Sequence, residues 1–155
     1  MTKKPRAQKP APRTVGLYDA IEEAFSEIES LAEEMRSWAD GMPESLQGGD
    51  KYSAVDEAAS SLENASRPDE PGDELDGITV TIQDPTPRRR GYSRADRLGQ
   101  AVYILDACIS ALEDFAASED PEFPEEKAEA ADAYKDEIEN AKSEVESVEF
   151  PGMYG

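Results

Sequence analysis

Residues 17–42 read LYDAIEEAFSEIESLAEEMRSWADGM, and their spacing decides the fold. Leu17, Ile21, Ala24, Ile28, Leu31, Met35, Trp38 and Met42 follow one another at steps of 4, 3, 4, 3, 4, 3 and 4. Apolar residues at that spacing line one stripe of a helix with 3.6 residues per turn. Phe25, Ala32 and Ala39 widen the stripe on one flank. Gly41 and Pro43 end the helix, since proline has no amide hydrogen to continue the ladder. So long an amphipathic helix has to cover its stripe with other elements of the fold.

Those elements are readable on either side. After the Gly48-Gly49-Asp50 turn, Val55, Ala58, Leu62 and Ala65 continue at 3, 4, 3 on a shorter helix that Pro68 ends. Ser93-x-x-Asp96 has the form of an N-terminal capping box. Behind it, Leu98, Ala101, Leu105, Cys108, Leu112 and Phe115 step by 3, 4, 3, 4, 3, flanked by Val102, Ile109 and Ala116. Past Pro121 and Pro124, Ala131, Tyr134, Ile138, Ala141, Val145 and Val148 repeat the pattern, and Pro151 ends it. An offset of 77 lays Ile21, Phe25, Ile28, Met35 and Trp38 on Leu98, Val102, Leu105, Leu112 and Phe115. An offset of 83 lays Val55, Ala58, Leu62, Ala65 and Pro68 on Ile138, Ala141, Val145, Val148 and Pro151. The expected fold is mainly all-α: two tandem antiparallel helical hairpins, an internal repeat able to pack as a four-helix bundle. Alanine-rich seams bury little area per helix, so a homodimer would enlarge a lean core.

One segment breaks the helical period. Ile78-Thr79-Val80-Thr81-Ile82 alternates apolar and polar and is β-branched throughout, which predicts a short strand. A strand needs a partner. The candidates are Thr14–Leu17, Val148–Phe150 or another chain. The chain thus divides into a basic flexible arm (1–13), hairpin 1 (14–66), a linker carrying strand 78–82 and an Arg cluster (67–92), hairpin 2 (93–150) and a tail (151–155).

Composition narrows the chemistry. The 155 residues make one domain or two very small ones. No histidine is present, which removes Ser-His, Cys-His and zinc-His sites. The single Cys108 excludes an internal disulfide and reads as a small core residue on its seam. DELDGITV invites a calcium-loop reading, but Gly72 and Gln83 fall where that loop needs acids. No apolar run reaches the ~20 residues of a membrane span, and no secretory h-region is present. The expectation is a cytoplasmic, non-enzymatic protein with no catalytic residue, cofactor or metal.

Charge carries the functional signal. With 36 acids and 16 bases the net charge is -20. Residues 1–13 carry Lys3, Lys4, Arg6, Lys9 and Arg13 and no acid. Residues 88–97 carry Arg88, Arg89, Arg90, Arg94 and Arg97 against Asp96. Two strongly acidic blocks follow these basic ones. Between Leu17 and Met42 stand eight acids and one base, Arg36, so along its own length this helix accepts repulsion. Eight carboxylates over roughly 38 Å approach the phosphate density of DNA once a second acidic helix lies alongside. In composition and shape this resembles the phage-encoded DNA-mimic proteins that block restriction or CRISPR effectors. The resemblance implies an inhibitor that engages a basic, nucleic-acid-binding protein. Glu22, Glu23, Glu27, Glu29, Glu33 and Glu34 on hairpin 1, and Glu125, Glu126, Glu129, Asp132, Asp136, Glu137 and Glu139 on hairpin 2, are the candidate contacts. Lys3, Lys4, Arg6, Lys9, Arg13, Arg88, Arg89 and Arg90 are candidates for contact with nucleic acid or a partner. The alternative is a structural or adaptor component of a phage or other multi-protein assembly, docking through the strand and the basic arm.

Overall fold

The computed structural model describes residues 10–151. Among them the chain runs β1 (Arg13–Gly16), α1 (Leu17–Asp40), α2 (Asp50–Glu63), β2 (Thr79–Ile82), α3 (Arg94–Ala116) and α4 (Glu125–Glu146), with single 3-10 turns at Glu44–Leu46 and Asp73–Leu75. The protein is mainly helical, with one two-stranded antiparallel sheet. The acting caps are local. Ser93 Oγ accepts from the Asp96 amide at 3.1 Å, as the capping spacing predicts. The Asp96 carboxylate takes Arg88 at 3.2 Å.

Every apolar position of the opening seam except Trp38 is buried, and Phe25, Ile28 and Met35 are at most 1% exposed. Helix α1 packs on α2 and α3 and also touches both strands, while α3 packs on α4. Three burdened sides explain why α3 buries Ile104 as well as its predicted seam from Leu98 to Leu112, while Phe115 at the seam's end is half-buried. The ion pairs give the directions. Arg36 reaches Asp56 and Glu63, and Arg67 reaches back to Glu29, so α2 and the segment after it run against α1. Asp106 meets Lys142 and Glu113 meets Lys135, so α4 runs against α3. A single continuous core joins all four helices and the sheet.

The strand falls where the alternation places it, with Val80 and Ile82 buried and Thr79 and Thr81 exposed. Its partner is the first of the three candidates: Arg13 stands opposite Ile82, Val15 opposite Val80 and Gly16 opposite Thr79. Arg13, assigned from sequence to the end of the arm, is therefore the first residue of β1. Lys3, Lys4, Arg6 and Lys9 lie outside the described residues. The stretch after α2 is fastened more firmly than its Pro, Gly and acid content suggests. Pro68 and Leu75 are buried, the Tyr134 hydroxyl donates to the Asp69 carbonyl at 2.7 Å, and Glu144 accepts from the Ser66 amide.

Candidate functional site

The acids of α1 and those of α4 meet opposite fates. On α1, five of the six candidate carboxylates are held by arginines from other elements. Glu23, Glu27 and Glu34 form a rail facing β1 and α3. Arg13 binds Glu23 at 2.6 Å and Asp84 at 2.7 Å, and Arg97 joins Glu27 and, at 2.7 Å, Glu34, which Arg94 also reaches. Glu22 and Glu29, one heptad apart, form a second rail facing Arg67. Arg36 is the next heptad position of that rail and clamps α2 through Asp56 and Glu63. Glu33 alone of the six is exposed and outside any ion pair among the described residues. The repulsion expected along α1 is relieved sideways, by bases 10 to 70 residues away in sequence.

These clamps shift protonation in consistent directions. Hydrogen bonding to Arg97 holds the Glu34 carboxyl below its ordinary value of 4.5, against a smaller effect of burial. The Arg13 guanidinium is raised by its hydrogen bonds to Glu23 and then Asp84. Burial pushes the Cys108 thiol up to about 12, which keeps it protonated and unreactive in the core.

On α4 the arrangement is reversed. Lys135 and Lys142 flank the seam and are spent on Glu113 and Asp106 of α3. Glu125, Glu126, Glu129, Asp132, Asp136, Glu137 and Glu139 are all exposed, and none of them joins an ion pair among the described residues. At 3.6 residues per turn, Glu125, Glu129, Asp132, Asp136 and Glu139 fall within roughly 80° of one another. That ridge lies opposite the buried face of Ala131, Tyr134, Ile138, Ala141 and Val145. The turn before α4 adds Glu119, Asp120 and Glu122, exposed as well. Phe115 packs edge-on against Phe123 at 5.0 Å and anchors that turn.

The remaining predicted bases lie in one neighbourhood. Arg88 stacks 5.0 Å from the Tyr92 ring and lines a cleft of about 570 Å³ with Arg13, Arg97 and Asp84. Arg89 and Arg90 are exposed and outside any ion pair among the described residues. Sequence reasoning did not single out Arg36, Arg67, Arg94 or Arg97 as organisers of the surface. Their only local signal is the scarcity of bases beside so many acids. Among the described residues no group of acids or thiols is spaced to hold a metal ion, and no helix is long and apolar enough to cross a membrane. Comparison with protein-family models, curated proteins and solved structures finds no match.

Proposed function

We propose that this is a non-enzymatic acidic binding protein of the cytoplasm. It engages a basic, nucleic-acid-binding protein by presenting nucleic-acid-like charge, as phage-encoded inhibitors of restriction or CRISPR effectors do. The observation that carries the reading is the unpaired ridge of α4. From Glu125 to Glu139 the helix rises roughly 21 Å; the five ridge carboxylates stand about 5 Å apart, and Glu126 and Glu137 on its flank bring the spacing along the helix to about 3.5 Å, against ~3.4 Å per phosphate along a DNA strand. The α1 acids, mostly committed to arginines, serve chiefly to hold the hairpins together as a four-helix bundle. The α4 ridge is then the phosphate stand-in. Desolvated pairing with Lys and Arg of a groove would steer association over long range.

The test is recovery of a partner from host lysate with and without nuclease, at low and high salt. The native chain is compared with one carrying Glu129→Gln, Asp132→Asn, Asp136→Asn and Glu139→Gln. The expected result is a basic partner that DNA displaces, that high salt releases, and that the substituted chain fails to retain. Equal retention by both chains, or complexes indifferent to salt and DNA, would overturn the reading. One observation favours the structural or adaptor alternative: Arg89 and Arg90 stand exposed on a tight turn at Gly91 (φ 72°), next in sequence to Arg88, which shares a cleft with Arg13.

A further inference from the structure

Among the described residues, the outer edge of β2 is only partly closed. The Leu17 amide donates to the Ile78 carbonyl at 3.0 Å, which makes 17/78, 15/80 and 13/82 the hydrogen-bonded pairs of this antiparallel ladder. The peptide groups of Thr79, Thr81 and Gln83 therefore point away from β1. At Gln83 helix α3 takes the place of a third strand. The Gln83 amide donates to the Tyr103 hydroxyl at 3.2 Å, and Gln100 Nε2 donates to the Gln83 carbonyl at 3.4 Å. Further along α3 the side chains become too short to reach. Thr79 and Thr81 form one wall of a groove of about 500 Å³, with Ala107, Ser110 and Ala111 on the other and Asp114 at its rim. Neither threonine has a hydrogen-bond partner outside the β1–β2 pairing among the described residues.

The geometry points to this groove as a strand-addition site for an extended, cationic segment of another protein. The backbone of that segment would pair with Thr79 and Thr81, as exposed sheet edges do in peptide recognition. Its inward side chains, apolar and β-branched, would fill the space left above Ala107 and Ala111. Charge selects the occupant. Asp114 is exposed and outside any ion pair among the described residues, and no base lines the groove. A second copy of the chain would bring the same carboxylate and the same net charge of -20. The site is separate from the α4 ridge, which points away from α3, so either can fail without the other.

The probe is a capped synthetic peptide, KVTVTVK, titrated into the ¹⁵N-labelled protein. Controls are DVTVTVD and KVTVTVK with alternate backbone amides N-methylated. The expected result is displacement of the Thr79 and Thr81 amide resonances with slowed hydrogen exchange. Binding should weaken about tenfold or more with either control and with Ala107→Leu plus Ala111→Leu, which fill the groove. Asp114→Lys, at an exposed helix position, should reverse the preference between the Lys-flanked and Asp-flanked peptides even if the leucine variant fails to fold. Unmoved Thr79 and Thr81 resonances, or binding indifferent to N-methylation, would overturn the proposal. So would β2 resonances that shift with protein concentration alone, which would give the edge to a second copy.

Discussion

Arg97 is the residue on which α1 and α3 meet. Its guanidinium takes carboxylates about two turns apart on the facing helix, and it is the least exposed of the clamping arginines. Replacing it with alanine leaves Glu27 without a partner and Glu34 with Arg94 alone. The expected cost of Arg97→Ala is about 1–2 kcal/mol, below that of a fully buried pair because Glu34 remains about a third exposed to screening water. The same contact predicts a pH signature. A carboxyl held below its ordinary value stabilises the fold fully above that value and loses the contribution as pH falls through the folded one. Urea unfolding followed downward from neutral pH should show the stability advantage of the native chain over Arg97→Ala shrinking below about pH 4.5. Parallel curves would mean that Arg97 does not set the Glu34 proton affinity.

At the scale of an element, α4 is a helix that its outward face opposes. Glu129, Asp132, Asp136 and Glu139 place like charges three and four residues apart, each such pair costing roughly 0.2–0.5 kcal/mol. Glu125 and Glu126 sit in the first turn, where the helix dipole favours them. Neutralising only the inner four as amides should raise the unfolding free energy by about 1 kcal/mol in denaturant titrations. Together with the lost partner retention expected above, that gives stability up and binding down. A stability loss instead would mean that those acids serve the fold. This ridge was legible in the sequence as seven acids between Glu125 and Glu139 with Lys127 and Lys135 among them, and so were the seams, the Ser93 cap and the strand. The difference between α4 and α1 was not legible. Arg67, Arg94 and Arg97 lie 38 to 70 residues from the glutamates they neutralise, and no helical period connects them. The partner of β2 was legible only as one of three segments, because four residues carry too little pattern to choose among them. The buried Leu75, one apolar residue in an acidic linker, gave no periodic signal at all.

For the whole molecule, pairing is one-sided: the described bases mostly face inward or between helices, and the surplus acid faces water. Added salt screens the exposed clamps and the ridge alike, but the net charge of -20 makes repulsion the larger total. The melting temperature should therefore rise as ionic strength increases from about 0.01 M to 1 M, across which the screening length falls from ~30 Å to ~3 Å. A falling melting temperature would show that the interhelical clamps outweigh the ridge.

The two kinds of clamp on α1 also impose an order of assembly. The Arg36–Asp56 pair closes a gap of 20 residues, whereas Arg94–Glu34 and Arg97–Glu27 close gaps of 60 and 70. Closing the longer loops costs about 1 kcal/mol more in chain entropy, so each hairpin collapses before the sheet zips the halves together. In stopped-flow kinetics Val55→Ala, inside the first hairpin, should slow folding. Val80→Ala, in the sheet, should leave the folding rate unchanged and speed unfolding. On the ribosome the first hairpin would then stand alone while β2 is still to be made, with the α1 face meant for α3 uncovered. The glutamate rail bordering that face, still waiting for Arg94 and Arg97, would carry unneutralised charge at that moment and keep neighbouring nascent chains apart.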